Sequence, residues 1–288
     1  MLAATLSSGC HVVLEGPPGT GKSTLLRAVA DGAGLGVEFV EGNAELTPAR
    51  LVGHHDPALV LEAGYTPDTF VDGPLISALR EGRLLYIEEL NRVPEETLNV
   101  LVGALAEGEI HVPRLGRVPA RASFRLIAAM NPFDAVGTAR VSQAISDRMC
   151  RIAVGYQDEA GERAIVERVA GFASALTAPA VQLTRLTREH TQVRMGASVR
   201  GAIDLVRLGR ELAGLRGEGD AQPGDATFAD AAIAALSGRL RLEEGSDTTP
   251  EAIVLELIER LVPNPEPEPQ EPPKGKAEGL LPAERAVR

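Results

Sequence analysis

Apolar positions along the chain follow two patterns, and the change between them divides it. In the first half, short apolar runs recur at His11-Val12-Val13-Leu14, Val37–Glu41, Leu84-Leu85-Tyr86-Ile87, Phe124–Ala129 and Met149–Val154. Runs of that length, bounded by Gly, Pro or charged residues, read as strands buried on both faces. Between them lie helical spacings: Leu25-Leu26-x-x-Val29-Ala30, Pro74–Arg80, Pro94–Ala106 and a short one at Val141–Ser146. Pro94 suits a first helical turn, and apolar residues at 98, 101, 102 and 105 give that helix one buried face. Alternating strands and helices predict an α/β fold, a mainly parallel five-stranded sheet covered on both faces.

Two further runs, Glu109–Val112 and Arg117–Arg121, flank Pro113-Arg114-Leu115-Gly116 and predict a hairpin projecting from that sheet. Residues 42–73, rich in Gly, Pro and Asp, read as irregular apart from a helical fragment near Pro48–Val52. Beyond about residue 156 strands are expected to stop. Helical patterns near 158–175, 197–214, 227–241 and 250–262 predict a separate helical domain. From Pro263 onward Pro and Glu dominate, which forbids a helix interior and predicts an extended, disordered tail. The expected division is an αβα core over 1–155, a helical domain over 156–262 and the tail over 263–288.

Composition narrows the classes of function. At 288 residues the chain can build two cores, and 44% apolar content fits a globular protein. A net charge of −11 disfavours a nucleic-acid partner, which normally needs a basic stripe. Aromatic content of 3% and no tryptophan leave little for base stacking. Cys10 and Cys150 follow no metal spacing and read as small buried hydrophobes. No apolar stretch is long enough to span a bilayer and no charged leader precedes the first strand, so a cytoplasmic setting is expected.

The most specific chemistry lies at Gly16-Pro17-Pro18-Gly19-Thr20-Gly21-Lys22-Ser23, followed by Thr24. It fits the phosphate-binding loop G-x-x-x-x-G-K-[ST], between a strand and a helix as that loop requires. Its glycines let successive N–H groups turn toward phosphate oxygens, and the next helix adds its positive end. Lys22 is expected on the terminal phosphates, and the Ser23 hydroxyl on Mg²⁺.

A phosphate loop alone does not separate kinases, GTPases and motors. The run Leu84–Ile87 ends in Glu88-Glu89, which sets one acid to hold Mg²⁺ and the next to orient water; Glu89 is the candidate base. Asn131, after the run Phe124–Ala129, either positions that water or simply turns the chain before Pro132. Arg148 either completes a neighbouring subunit's site or makes a surface ion pair. Arg200 either reports on the γ-phosphate or lies exposed on a helix.

These segments occur in order with Asp-Gly-Pro (72–74), Ile-Glu-Glu-Leu-Asn-Arg (87–92), Asn-Pro-Phe-Asp-x-x-Gly-Thr (131–138), Ser-Asp-Arg (146–148) and Gly-Ala-Ser-Val-Arg (196–200). Over roughly residues 9–215 the chain therefore resembles the MoxR family of AAA+ ATPases, relatives of the magnesium-chelatase ATPase subunit. The resemblance implies a P-loop AAA+ core, a helical lid and a ring, commonly a hexamer, with ATP and Mg²⁺ between subunits. It makes Lys22 and Ser23 part of Walker A, Glu88 and Glu89 Walker B, Asn131 sensor 1, Arg148 the arginine finger and Arg200 sensor 2. Residues 42–73 and 109–121 then match inserts that face the pore or a partner.

Two departures stand out. Glu88 replaces the family's usual Asp; one methylene longer, it can still hold Mg²⁺ through water, with altered geometry and rate. The family's preceding helix and adenine-contacting segment read as missing or very short, so reduced nucleotide affinity or base selectivity is expected. The implied role is an ATP-hydrolysing, chaperone-like motor that matures an enzyme or metallocofactor complex, often with a von Willebrand factor A domain partner. A nucleotide-binding assembly scaffold with little hydrolysis, or a small-molecule kinase, remains an alternative. DNA remodelling is disfavoured by the acidic charge.

Three other features invite a role. His54-His55-Asp56 reads as metal ligands or as a polar loop or pore surface, Asn43 as a restraint on Glu89, and Glu159, Glu162 and Glu167 as the solvated face of a helix.

Overall fold

Each of the five apolar runs forms a strand of one sheet in the computed structural model, which describes residues 1–132 and 142–262. The expected tail, Val141, and positions 133–138 of the Asn131 motif lie outside the described residues. In chain order the first elements are α1 (Leu2–Ser7), β1 (His11–Glu15), α2 (Lys22–Ala33) and β2 (Val37–Glu41). Next come α3 (Pro48–Val52), β3 (Gly53–His55), α4 (Pro57–Ala63), β4 (Phe70–Asp72), α5 (Pro74–Glu81) and β5 (Leu84–Glu88). The first half ends with α6 (Glu95–Glu107), β6 (Glu109–Val112), β7 (Gly116–Pro119), β8 (Arg125–Met130), α7 (Gln143–Ser146) and β9 (Met149–Ala153).

The main sheet has the order β2-β5-β8-β1-β9, and every neighbouring pair is parallel. Because side chains alternate across a strand, its core divides in two. Val13, Leu85, Ile87, Leu126 and Ala128 face a layer that includes α5 and α6. Val12, Leu14, Leu84, Tyr86, Ile127 and Ala129 face α1 and α2. With apolar residues on both faces, the strands read as unbroken runs.

His11, at the start of β1, has an unusual task. Its Nδ1 accepts the backbone N–H of Leu126 at 2.9 Å, and its ring leans on Phe124. Burial first, and the nearby Arg125 second, push its pKa down to about 4. The folded state thus resists a proton that the unfolded chain takes up near the ordinary value of 6.5. This contribution to stability is complete above that value and is lost as pH falls toward 4. Allowing for solvent near the ring, the loss between pH 7 and pH 5 should be about 1–2 kcal/mol. Urea melts of His11→Asn, which keeps an acceptor but cannot titrate, should show that much less decline over the interval. Parallel profiles for variant and parent would refute it.

The stretch 42–73 is more ordered than its composition suggests. β3 and β4 pair antiparallel, and α4 starts from Asp56, whose carboxylate accepts the N–H groups of Ala58 and Leu59. β6 and β7 form the expected hairpin. Its tip meets this stretch, with Arg114 stacked over the Tyr65 ring, 3.7 Å from its centre. The cysteine reading needs correction: Cys150 is exposed and Cys10 half-buried. β9 is an edge strand, so its alternate positions face solvent.

The second half contains α8 (Glu159–Ala170), α9 (Thr177–Glu189), β10 (Val193–Met195), α10 (Val199–Arg216), α11 (Ala226–Leu236), β11 (Arg241–Leu242) and α12 (Pro250–Leu261). Its apolar core draws on all five helices, with Val166, Val181, Leu205, Phe228 and Ile253 at its centre. Two expectations are overturned. Strands do not stop at residue 156, because β10 and β11 pair antiparallel, and α9 fills a gap between the expected helices. The second error explains a third. Glu162 is not solvated: α9 covers it, and its carboxylate, 2% exposed, meets Arg188 at 2.8 Å and Arg185 at 3.1 Å. Glu159 and Glu167 do face solvent.

Candidate functional site

Strand order decides which distant residues meet. β5, β8 and β1 lie side by side, so the segments leaving their carboxyl ends converge although they come from residues 16–24, 88–92 and 130–131. That edge of an open parallel sheet is the usual place for a ligand crevice. Here it holds a cavity of about 390 Å³. Its floor is Pro18 to Thr24, one wall carries Glu88, Glu89 and Asn131, and Arg200 enters from the second half.

Local geometry explains the loop's composition. A side chain at Gly16 would overlap the Val154 carbonyl. At Gly19, where φ is +75°, it would strike Ser198 just ahead of α10. The glycines therefore fit the loop tightly between β9 and the second half. The Lys22 ammonium donates to the carbonyls of Gly16 and Pro17, each at 2.8 Å, and the Thr20 hydroxyl donates to Pro17 at 3.0 Å. Desolvation holds the Lys22 pKa below its usual range; Glu88 opposes that shift and Arg200 adds to it.

Beneath the loop the Ser23 hydroxyl donates to Glu88 Oε1 at 2.7 Å and lies 3.2 Å from the Tyr86 hydroxyl. Burial pushes the Tyr86 pKa up to about 12, so the phenol stays neutral. A hydroxyl and a carboxylate in contact at the base of a phosphate loop are oxygen donors that suit a hard divalent cation. Glu88 reaches Ser23 despite its extra methylene.

Glu89 sits one residue beyond β5 with φ at +53°, a left-handed backbone uncommon outside glycine. Its carboxylate pairs with Arg92 at 2.9 Å. The Asn91 side chain donates to the Asn131 carbonyl across 3.4 Å, linking the exits of β5 and β8. Asn43 does not restrain Glu89 here. Its amide accepts from the Glu45 N–H at 2.9 Å and donates to the Glu41 carbonyl at 3.2 Å, closing its own turn.

Of the other candidates, Arg148 stands apart. It is exposed at the end of α7, donates to the Ala144 carbonyl at 2.7 Å, and does not line the cavity of its own chain. His55 bonds Thr69 at 3.0 Å and packs edge-on against Tyr65 and Phe70. Asp56 is occupied in capping α4, so His55 and Asp56 act in the local fold, while His54 is exposed on β3.

Sequence reasoning missed Tyr86, Arg92, Met195 and Arg241. Arg92 had a signal, its spacing of three from Glu89 across a tight turn. Tyr86 was hidden as one more apolar strand position.

Comparison with known proteins follows the same division. Residues 11–149 match the AAA domain (dynein-related subfamily), and residues 185–257 match an AAA lid domain. A gas vesicle ATPase, GvpN, from Ancylobacter aquaticus is 30% identical over 279 residues, covering 90% of this chain and 77% of that protein. An uncharacterized protein of Staphylococcus haemolyticus is 31% identical over 212 residues, covering 69% of this chain and 77% of the relative. Among solved structures, a RuvB point mutant from Thermotoga maritima superposes with a TM-score of 0.53 at 17% identity. The match covers 82% of this chain and 66% of that one, a likeness of fold alone.

Proposed function

The chain belongs to the AAA+ ATPases, with an AAA domain of the dynein-related subfamily followed by an AAA lid, and from that premise we propose an ATP-driven ring motor that remodels a protein client. The observation that carries this reading is the convergence of loop, paired acids, Asn131 and Arg200 on one cavity. In it, residues 1–155 form the catalytic core, 156–262 the lid and 263–288 a tail. Gly16 to Thr24 wrap the phosphates, with Lys22 on the terminal pair. Ser23 and Glu88 would hold Mg²⁺, whose charge offsets that of the phosphates. Glu89 accepts the proton of the attacking water, Asn131 orients that water, and Arg200 links the lid to the γ-phosphate.

Arg148 serves the next subunit, which makes the active unit an oligomer, a hexameric ring by the MoxR resemblance. The inserts at 42–73 and 109–121, joined through Arg114 and Tyr65, would carry the motion to the client. A metalloenzyme with a von Willebrand factor A domain partner, in the cytoplasm, fits that resemblance. A gas vesicle role, as in the relative's name, is a second client class.

The Arg92 pair on Glu89 favours one other reading, an assembly scaffold that binds ATP and barely turns it over. Lys22→Ala should weaken ATP binding about 10- to 100-fold, the effect of losing a charge-assisted contact. Fluorescent-nucleotide titration checks it, and unaltered affinity would end the nucleotide-site reading. A parent that releases phosphate at background rate, as slowly as Glu89→Gln, would select the scaffold.

A further inference from the structure

The second half turns two arginines toward the cavity, and only Arg200 belongs to a motif recognised from sequence. The other, Arg241, comes from the short hairpin of β10 and β11. Val193 pairs with Leu242 and Met195 with Arg241, so two steps on one strand match a single step on the other. Leu242 and Arg241, adjacent on β11, point to opposite faces, and the bulge brings Met195 to the face of Arg241. Val193 and Leu242 therefore turn into the lid core, while Met195 and Arg241 line the cavity. A regular hairpin would have set Arg194, and not Met195, opposite Arg241.

We propose that Arg241 is a second lid cation for the terminal phosphate of the bound nucleoside triphosphate, an assignment that rests on the nucleotide-site reading above. Six other lid arginines are matched by acids: Arg163 with Glu159, Arg239 with Asp204, Arg216 with Asp230, Arg260 with Glu256, and Arg185 and Arg188 with Glu162. Arg168, Arg194, Arg207 and Arg210 have no ion pair among the described residues, but none of them lines the cavity. Arg241 has no acidic partner among the described residues, and donates only to the Leu240 carbonyl at 3.4 Å. Arg200 likewise has no ion pair among them. Among the described residues that line the cavity, Lys22, Arg200 and Arg241 stand against Glu88, while Glu89 is paired with Arg92. Such a site has a surplus of positive charge that an anion neutralises.

Position within the cavity selects the phosphate. The loop floor provides for the inner phosphates through its N–H groups, whereas the lid arginines share the cavity with Glu89 and Asn131, where bond cleavage belongs. A guanidinium there meets a group that a triphosphate carries and a diphosphate lacks. Its planar fork also allows two parallel hydrogen bonds to phosphate oxygens. The hairpin would then make lid docking depend on the third phosphate.

The test compares ATP and ADP affinities by competition against a fluorescent nucleotide, with Glu89→Gln as the parent so that ATP survives. Adding Arg241→Ala should weaken ATP about tenfold, as expected for a hydrogen bond between charged groups, and change ADP less than about twofold. Arg241→Lys, which keeps charge without the fork, should recover part of the loss. Equal weakening of both nucleotides, or none, overturns the assignment. A parent that binds neither overturns the nucleotide-site reading and this inference with it.

Discussion

Replacing Glu89 with glutamine should cut ATP turnover by about 10²–10⁴-fold, the usual contribution of a positioned general base, while nucleotide affinity changes little. Glu and Gln fill nearly the same volume, so the variant loses charge and proton affinity rather than shape. In the proposed site the phosphates are held by the loop, Lys22 and the lid arginines, none of which the substitution touches. The left-handed backbone at Glu89 supports a functional reading. Such a conformation costs on the order of 1–3 kcal/mol and persists only where its surroundings enforce it. Here the tight turn from β5 into Leu90–Arg92 aims two successive carboxylates differently. Glu88 points to Ser23, and Glu89 lines the cavity while pairing with Arg92. Single-turnover phosphate release, measured beside nucleotide titration, separates the two effects. A variant within about threefold of the parent rate would remove Glu89 from the chemistry.

What the sequence disclosed, and what it hid, follows from burial. β1, β5 and β8 are covered on both faces, so their apolar runs are unbroken and locate the site through the polar residues that end them. The lid was harder. α9 buries Thr177, Thr184 and Thr187 in place of aliphatic residues, which dilutes the helical spacing, and it begins after Leu176 with no side-chain cap. Thr187 is buried for a local reason, since its hydroxyl accepts the Ala197 N–H and helps hold the loop leading to Arg200. With α9 unseen, nothing in the spacing of α8 could show that Glu162 was covered. β11 is two residues long and continues a helical pattern, so nothing local marks Arg241 and Leu242 as strand residues that alternate between cavity and core. Tertiary pairing sets such positions, and local propensity carries no trace of them.

Mixing two inactive variants should restore ATP turnover if Arg148 acts on a neighbour. Arg148→Ala alone is expected to lose about 10³–10⁵-fold in rate, the range for removing an arginine that neutralises charge during phosphoryl transfer. It should still bind ATP, since Arg148 lies outside the cavity of its own chain. The position of Arg148 explains the demand for a partner. Asp147 beside it is engaged by Gln143, and Arg148 has no ion pair among the described residues, leaving an exposed guanidinium at the end of α7. Lys22→Ala fails for the opposite reason, keeping Arg148 while losing the phosphate contact. In a ring with head-to-tail contacts, an interface works when an intact Lys22 faces an intact Arg148. Random equimolar mixing creates that arrangement at about a quarter of interfaces. The mixture should therefore recover a measurable fraction of parental turnover although each component is inactive. Arg148→Lys should rescue poorly, because an ammonium lacks the two-pronged geometry of guanidinium. If the mixed sample turns over no faster than the sum of its parts while gel filtration shows mixed oligomers, Arg148 does not act across the interface. The exposed guanidinium would then be a surface charge, and the ring would need another source for its catalytic cation.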